Sequence, residues 1–266
     1  MVEIAYTRYL YVEDEVCYSL MLALLERNKE ESLFWAYELY FSGFKIFDYL
    51  FNLYEGLYIT KKNILSGLKE LHNEWLIDKT KHHIIGTFII NMINYKYSIS
   101  KFIRKFYKIK CKDVKETKKY SNVIEQMKPE DSNKYVTKTY PEKAYTTLPN
   151  ECKYYIRKQL NTLCEQPLTY DVKLYTHNWL YYASKTEIWT HRIAMYNGRV
   201  DDELKDVIFD SIEDKEKFDD HYDLEPDEQS LETQQKSLGR DEEQFTVEDL
   251  IKNNGGIIEC VKEESS

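Results

Sequence analysis

The stretch KFIRKFYKIKCKDVKETKKY, residues 101–120, interleaves cationic side chains with aromatic ones. Cations neutralise phosphates and aromatic rings stack on unpaired bases, which is the chemistry that binding of single-stranded nucleic acid requires. An alternative is a helix with a buried apolar side and solvated lysines, and the helical spacing of Phe102, Ile103 and Phe106 favours it. Binding of an acidic protein is a third interpretation. The candidate nucleic-acid-binding residues are Lys101, Arg104, Lys105, Lys108, Lys110, Lys112 and Tyr107.

Residue types that carry catalysis or hold metals are present but poorly spaced. The sequence contains no phosphate-binding glycine loop, dinucleotide fingerprint, nucleophile elbow or HExxH motif. Glu187 and His191 lie four residues apart on a predicted helix, where an exposed surface pair is commoner than an acid–base pair. A zinc site built from Cys164, His177 and His191 would lack a second closely spaced ligand. We therefore predict a non-enzymatic protein with no catalytic residue, no metal site and no cofactor.

Charge is distributed unevenly along the 266 residues. Residues 60–160 hold 22 basic and 10 acidic side chains, whereas residues 200–266 hold 7 basic and 23 acidic ones. Because high net charge opposes burial, we predict that this acidic part is largely disordered. It could keep the chain in solution, compete with phosphate for the basic stretch, or dock to a partner. If it competes, removal of residues 200–266 should strengthen polyanion binding.

Residues 246–256, near the end of the acidic part, have the pattern of a short amphipathic helix. Thr246 stands three residues before Asp249, as in a capping box, and two glycines follow the helix. Such a helix within a disordered tail suits binding in an apolar groove of another protein. The candidate partner-binding residues are Phe245, Val247, Leu250 and Ile251.

The secondary structure predicted around these candidate residues is mostly helical. The chain has only 8 Gly and 5 Pro, which favours helices over a strand-and-turn fold. Apolar residues at spacings of three and four predict six helices, which start close to residues 14, 31, 46, 60, 80 and 98. Thr60 and Thr80 are candidate N-caps, and Ser42–Gly43 is a candidate C-cap.

The segment ESLFWAYELYFSGF, residues 31–44, is apolar on nearly every side of its predicted helix. A helix that is apolar all round is normally buried, so we predict that this segment forms the centre of the core. Replacement of Trp35 by Ala should then reduce the free energy of unfolding by about 3–5 kcal/mol.

The predicted fold class is all-α, an irregular multi-helix bundle or a stack of helix pairs. Residues 1–110 would form the N-terminal helical bundle, and residues 111–150 a Lys/Thr/Ser-rich linker. Residues 151–199 form an aromatic-rich helical segment that would pack on the bundle because it is too small to fold alone. Residues 200–266 would be the acidic tail, which contains the amphipathic element.

The cysteine spacing and the hydropathy of the sequence indicate in which cellular compartment the protein is expected. The five cysteines are widely spaced and include no CxxC pair, which favours reduced thiols over a disulfide framework. We find neither the pattern of a signal peptide nor an apolar stretch long enough to span a bilayer. The expectation is a soluble intracellular protein that does not bind membranes.

Several stretches resemble a set of viral proteins. These are TRYLYVEDEVCYSLMLALLERN (7–28), ESLFWAYELYFSGF (31–44), WLYYASKTEIWTHRI (179–193) and EPDEQ (225–229). They are similar to uncharacterised proteins of nucleocytoplasmic large DNA viruses, the giant viruses, and the Lys/Asn/Ile/Tyr bias typical of an AT-rich genome agrees. The resemblance implies action in viral factories of the host cytoplasm, and packaging into the virion as a second location. It implies no activity and no functional residue.

Two functional hypotheses follow from these patterns. The first is a non-catalytic viral scaffold or adaptor that works through contacts with other viral or host proteins. The alternative is a nucleic-acid-binding accessory factor in viral transcription or replication, which would use residues 101–119. The sequence does not indicate an oligomeric state.

Overall fold

The structure is a computed structural model that describes residues 5–59, 62–114, 120, 123–136, 147–157, 177–222, 228–238 and 246–258. The chain is mostly helical, which confirms the predicted class in its coarse form, and short strands accompany the helices. Within these ranges no helix is long and apolar enough to cross a membrane.

The first part of the chain folds into helices close to the predicted positions. They are α1 (Glu13–Leu25), α2 (Lys29–Phe41), α3 (Ile46–Leu57), α4 (Lys62–Ile77), α5 (His83–Asn94) and α6 (Ile99–Tyr107).

Shorter helices and two small antiparallel sheets follow. The elements are β1 (Cys111–Asp113), α7 (Pro129–Ser132), a 3₁₀ turn (Asn133–Tyr135), α8 (Thr147–Glu151), α9 (Trp179–Ala183), α10 (Glu187–Ala194), β2 (Gly198–Asp201), β3 (Asp206–Phe209), α11 (Ile212–Tyr222), α12 (Leu231–Leu238), α13 (Val247–Asn253) and β4 (Gly256–Ile258). Strands β2 and β3 form a hairpin with Gly198 opposite Phe209. Strand β1 pairs with β4, from the far end of the chain, with Cys111 opposite Ile258.

Helix α2 lies in the core, in contact with α1, α3 and α5. Trp35, Tyr37 and Leu39 are completely buried, and the Trp35 ring packs edge-on against Tyr11 at 5.0 Å. This confirms that the segment 31–44 is a core helix and not an exposed groove.

Two carboxylates of α2, Glu31 and Glu38, are buried with it, and each is paired with an arginine from a distant part of the chain. Glu38 accepts a hydrogen bond from Arg8 Nε at 2.8 Å. Glu31 accepts from Arg157 Nε at 3.0 Å and Nη2 at 2.7 Å, and from Trp35 Nε1 at 3.1 Å. Because an unpaired buried charge is costly, these pairs attach the N-terminal turn and residue 157 to the core.

The structure confirms one of the predicted helix caps and contradicts another. Gly43 adopts a left-handed conformation, φ 95°, immediately after Ser42, as the predicted C-cap of α2 requires. Ser98 caps α6 by accepting a hydrogen bond from the Lys101 amide. The prediction that Thr80 caps α5 is wrong, because its hydroxyl and amide bind the Asp78 side chain in the preceding turn. Thr60 lies outside the described residues.

The described part of the segment 111–150 is not a free linker, which corrects the prediction. Met127 is buried, and its amide donates to Thr87 Oγ1 at 3.0 Å. The Tyr135 ring stacks on Tyr37 with centroids 4.4 Å apart. Isolated anchors of this kind hold irregular chain in place without producing any periodic pattern, so sequence periodicity could not reveal them.

The second half of the chain contacts the N-terminal turn through α10 and the residue that precedes it. Thr186 Oγ1, Trp189 Nε1 and Arg192 Nη1 donate to the carbonyls of Tyr6, Thr7 and Arg8, which are successive in the chain. Side chains three residues apart lie on one face of a helix, so a single face satisfies three backbone acceptors in a row.

The prediction that residues 200–266 are disordered is wrong for the residues described there. Residues 200–222, 228–238 and 246–258 contain the end of β2, strands β3 and β4, and helices α11, α12 and α13, and Phe218, Leu250 and Ile251 are buried in the core. These few buried apolar residues have little influence on the net charge of the segment, so the charge alone did not indicate that they pack in the core. The hairpin and the paired strands also mean that the fold is not purely helical.

Candidate nucleic-acid interface

At the start of α6, side-chain oxygens accept hydrogen bonds from backbone N–H groups of the first turn, which have no carbonyl partner within the helix. Ser98 Oγ accepts from the Lys101 amide at 3.1 Å. The Asp113 carboxylate, from β1, accepts from Ser98 Oγ at 2.6 Å and from the Ser100 amide at 2.8 Å. A carboxylate at a helix N-terminus is favourable because the amides there carry partial positive charge. Asp113 thus joins the start of α6 to β1.

The buried side of α6 sets the orientation of its charged side. Ile99, Phe102 and Ile103 are buried, and α6 contacts α3. With this side fixed, residues at positions i, i+3, i+4 and i+7 form a stripe on the outside of the helix. The stripe consists of Lys101, Arg104 and Lys105 of α6 together with Lys108, which follows the helix in a left-handed conformation, and all four are exposed.

The polar contacts of the stripe are with neutral acceptors. Lys101 Nζ donates to the Glu55 carbonyl and, at 3.3 Å, to the Tyr58 carbonyl at the end of α3. Arg104 Nη2 donates to Ser100 Oγ at 3.2 Å, and Lys108 Nζ to the Lys105 carbonyl at 3.0 Å.

Carboxylates do not neutralise this stripe, although they neutralise lysines on other helices. Among the described residues, none of the four cations makes an ion pair. Three lysines on later helices do pair with a carboxylate four residues away, in Lys215–Asp219, Lys236–Glu232 and Lys252–Glu248. Like charges at helical spacings of three and four destabilise a helix by about 0.2–0.5 kcal/mol per pair. Arg104 and Lys105 lie in the last turn of α6, where the helix dipole favours cations, so the dipole offsets part of this repulsion.

Phe106, rather than Tyr107, is the ring available for stacking. Phe106 is 53% exposed, and its centroid lies 4.8 Å from that of Phe102, beside Gly56 of α3. Lys105 Nζ lies 5.0 Å from the Phe106 centroid. Tyr107 is half-buried and packs against the core. The spacing of Phe106 with Phe102 indicates burial, but α6 ends one residue later and leaves the ring at the edge of α3.

Strand β1 extends the cationic surface beyond the helix. Lys110 and Lys112 are exposed, whereas Cys111 between them is buried. Lys112 lies opposite Ile257 of β4. We define the basic face as seven exposed residues: Lys101, Arg104, Lys105, Phe106, Lys108, Lys110 and Lys112. Residues 115–119, which the sequence also assigned to this stretch, lie outside the described residues.

The candidate partner-binding residues near the C-terminus are used within the chain. Val247, Leu250 and Ile251 are buried, and α13 packs against α6. Thr246 and Asp249 form the capping box that the sequence indicates. These three side chains are therefore not accessible to another protein, which corrects the prediction for them. Phe245 lies outside the described residues.

Two of the cysteines, Cys17 and Cys152, lie in environments that disfavour the thiolate form. Burial raises the pKa of the Cys152 thiol to about 12 and also raises that of Cys17, so both thiols stay protonated and unreactive at neutral pH. Across the ranges that the structure describes, no group of three or more His, Cys, Asp or Glu is placed to hold a metal ion.

The chain was also compared with known proteins. It matches no family model, no curated protein and no solved structure. Its function must therefore be argued from its own residues.

Proposed function

We propose that the chain binds single-stranded nucleic acid through the basic face. In the viral setting that the sequence resemblance implies, it would act as a non-enzymatic accessory factor in transcription or replication within the host cytoplasm. The observation that carries this proposal is the stripe of four cations at α6 without ion-pair partners among the described residues. Phosphates would supply the counter-charge that the fold does not.

The geometry suits a flexible single strand. The stripe from Lys101 to Lys108 is about 10 Å long at the helical rise, and Lys110 and Lys112 extend it. A base that stacks on the exposed side of Phe106 would contribute about 1–3 kcal/mol without selecting one base over another. We therefore expect affinity that depends strongly on salt and weakly on sequence.

Fluorescence anisotropy with a labelled pyrimidine oligonucleotide tests this proposal. Replacement of Lys105, Lys108 and Lys110 by Glu should abolish binding at 50 mM salt. Replacement of the exposed Lys69, Lys79 and Lys217 by Glu makes the same change in net charge on other helices or loops, and should leave most binding intact. Equal binding by the first variant and the wild type would refute the proposal.

A second candidate function is that of a scaffold or adaptor for viral or host proteins. The observation in its favour is the end of α4, where Leu76 and Ile77 are exposed, Ile77 by 88%. Large exposed apolar side chains beside one another mark protein contacts more often than isolated ones do. On this proposal α1–α6 form an irregular bundle that acts as the frame.

Photo-crosslinking in infected cells separates this candidate from the first. A crosslinker at residue 77 should capture one defined protein after nuclease treatment, and a crosslinker at the isolated, exposed Ile212 should not. Identical products from both positions would argue against a docking surface on α4.

A further inference from the structure

We propose that the segment Thr246–Ile258 positions the basic face, and that its release lowers affinity for nucleic acid. This inference rests on the proposed function of the basic face. It opposes the expectation, drawn from net charge, that the acidic C-terminal part masks the cations.

The first observation is that the segment holds β1. In the described part of the chain, β4 is the strand that pairs with β1, with Lys112 opposite Ile257 and Asp113 opposite Gly256. The Val114 amide also donates to the Gly255 carbonyl at 2.7 Å. Without β4, the backbone that carries Lys110 and Lys112 would lose these hydrogen bonds.

The second observation is that the segment reaches α6 as well. Leu250 and Ile251 of α13 are buried, and α13 packs against α6. A Cβ added to Gly256 would lie 3.0 Å from Ile99 Cγ2, so the backbone of β4 lies close to the start of the helix. Since Asp113 in turn binds Ser98 and Ser100, the segment supports both the helix and the strand of the basic face.

The third observation concerns the carboxylates of the segment, which act within α13. Asp249 binds Thr246 in the capping box, with its amide 3.2 Å from Thr246 Oγ1. Glu248 pairs with Lys252 at 3.4 Å. Neither forms an ion pair with a cation of the basic face, so the described part of the segment acts through packing and strand pairing and not through charge.

Segment Thr246–Ile258 thus combines two known modes of peptide recognition, a helix in an apolar groove and an added strand. A seven-residue helix does not form by itself in water, so α13 depends on this docking and should be lost when its apolar contacts are disrupted. If Thr246–Ile258 detached, the cations of the basic face would still be present, but the packing and strand pairing that hold them in a row would be lost.

Substitution of Leu250 by Asp in the full chain tests the inference. Asn253→Asp is the matched control, because it places the same charge on the exposed side of the same helix. Leu250→Asp should speed hydrogen exchange of the amides at 111–114 and weaken binding of a pyrimidine oligonucleotide about tenfold. Loss of two aligned cations should also reduce the salt slope by about 1.4, at about 0.7 per cation. Asn253→Asp places its charge at the C-terminal end of α13, where the helix dipole disfavours it only slightly, so it should change both quantities much less than Leu250→Asp does.

Leu250→Ala, which removes only apolar volume, should give intermediate effects and serves if the aspartate variant does not fold. Faster exchange at 111–114 together with unchanged or tighter binding would overturn the inference. The exchange measurement requires no nucleic acid, so it reports on the segment even if the wild type fails to bind. Absence of binding by the wild type would instead count against the proposed function.

Discussion

Arg8 Nε donates to Glu38 Oε2 across 2.8 Å, although the two side chains are only 4% and 0% exposed. Glu38 also accepts from the Tyr9 amide at 3.1 Å, and Arg8 Nη1 donates to the Tyr135 carbonyl at 2.9 Å. One buried ion pair therefore connects the N-terminal turn, the core helix α2 and the 3₁₀ turn after α7.

Removal of one partner of this pair should be strongly destabilising. Glu38→Ala leaves the Arg8 charge buried without its carboxylate, which typically costs about 3–5 kcal/mol. Glu30→Ala removes an exposed partner of Lys134 on the same helix and should cost less than about 1 kcal/mol. Urea unfolding of both variants measures the difference. Equal losses would show that the Arg8–Glu38 pair is not an important link.

Trp35 should contribute to stability as a fully buried aromatic residue. Trp35→Ala removes a side chain that packs against Tyr11 and whose indole N–H binds Glu31. We expect a loss of about 3–5 kcal/mol in the free energy of unfolding, measured in urea. Unchanged stability together with loss of partner binding would mean that the residue lies on a functional surface instead.

Gly43 is predicted to tolerate no side chain. It combines φ 95° with a position at which an added Cβ would lie 2.5 Å from Glu187 Cβ, so Gly43→Ala suffers both backbone strain and overlap. We expect a loss of about 2–4 kcal/mol. Gly255 has φ 76° but nothing within 4 Å of an added Cβ, and Gly255→Ala should lose only about 1–2 kcal/mol. Thermal unfolding that ranks the two in the opposite order would contradict this account.

Stability should fall in mild acid because of partly buried histidines. Burial lowers the pKa of His72, His82, His83 and His221, and nearby Arg192 adds to the effect at His221. The unfolded chain then binds more protons than the folded chain as the pH falls through about 6.5, so the free energy of unfolding decreases. We expect a lower urea midpoint at pH 5.5 than at pH 7.5, and a smaller difference for His221→Gln. A higher midpoint at pH 5.5 would contradict the assigned directions.

Local patterns were sufficient to predict much of the fold. The helices before residue 110 and the burial of α2 follow from apolar spacing, since a helix buries whichever stripe of its surface is apolar. The left-handed turn at Gly43 follows from residue type alone.

Contacts between distant parts of the chain were not predictable in this way. The pairing of β1 with β4, and the docking of α13 on α6, join residues near position 111 to residues near position 250. The net charge of residues 200–266 predicts disorder, because the segment contains many acidic residues and fewer large apolar ones such as Leu250 and Ile251. At the candidate site, all six cations are exposed, whereas the exposed ring is Phe106 and Tyr107 is half-buried, a difference that depends on where α6 ends against α3.

The salt dependence of nucleic-acid binding tests the central claim most directly. For the wild type, the logarithm of the association constant for a single strand should fall with the logarithm of salt concentration with a slope of about −3 or steeper. This value follows because at least the α6 cations should each contribute about −0.7. Replacement of Lys105 and Lys108 by Gln should flatten the slope by about 1.4, whereas replacement of Lys69 and Lys217 by Gln should leave it unchanged. A slope near zero, or one that the first pair of substitutions does not alter, would contradict the assignment of the basic face.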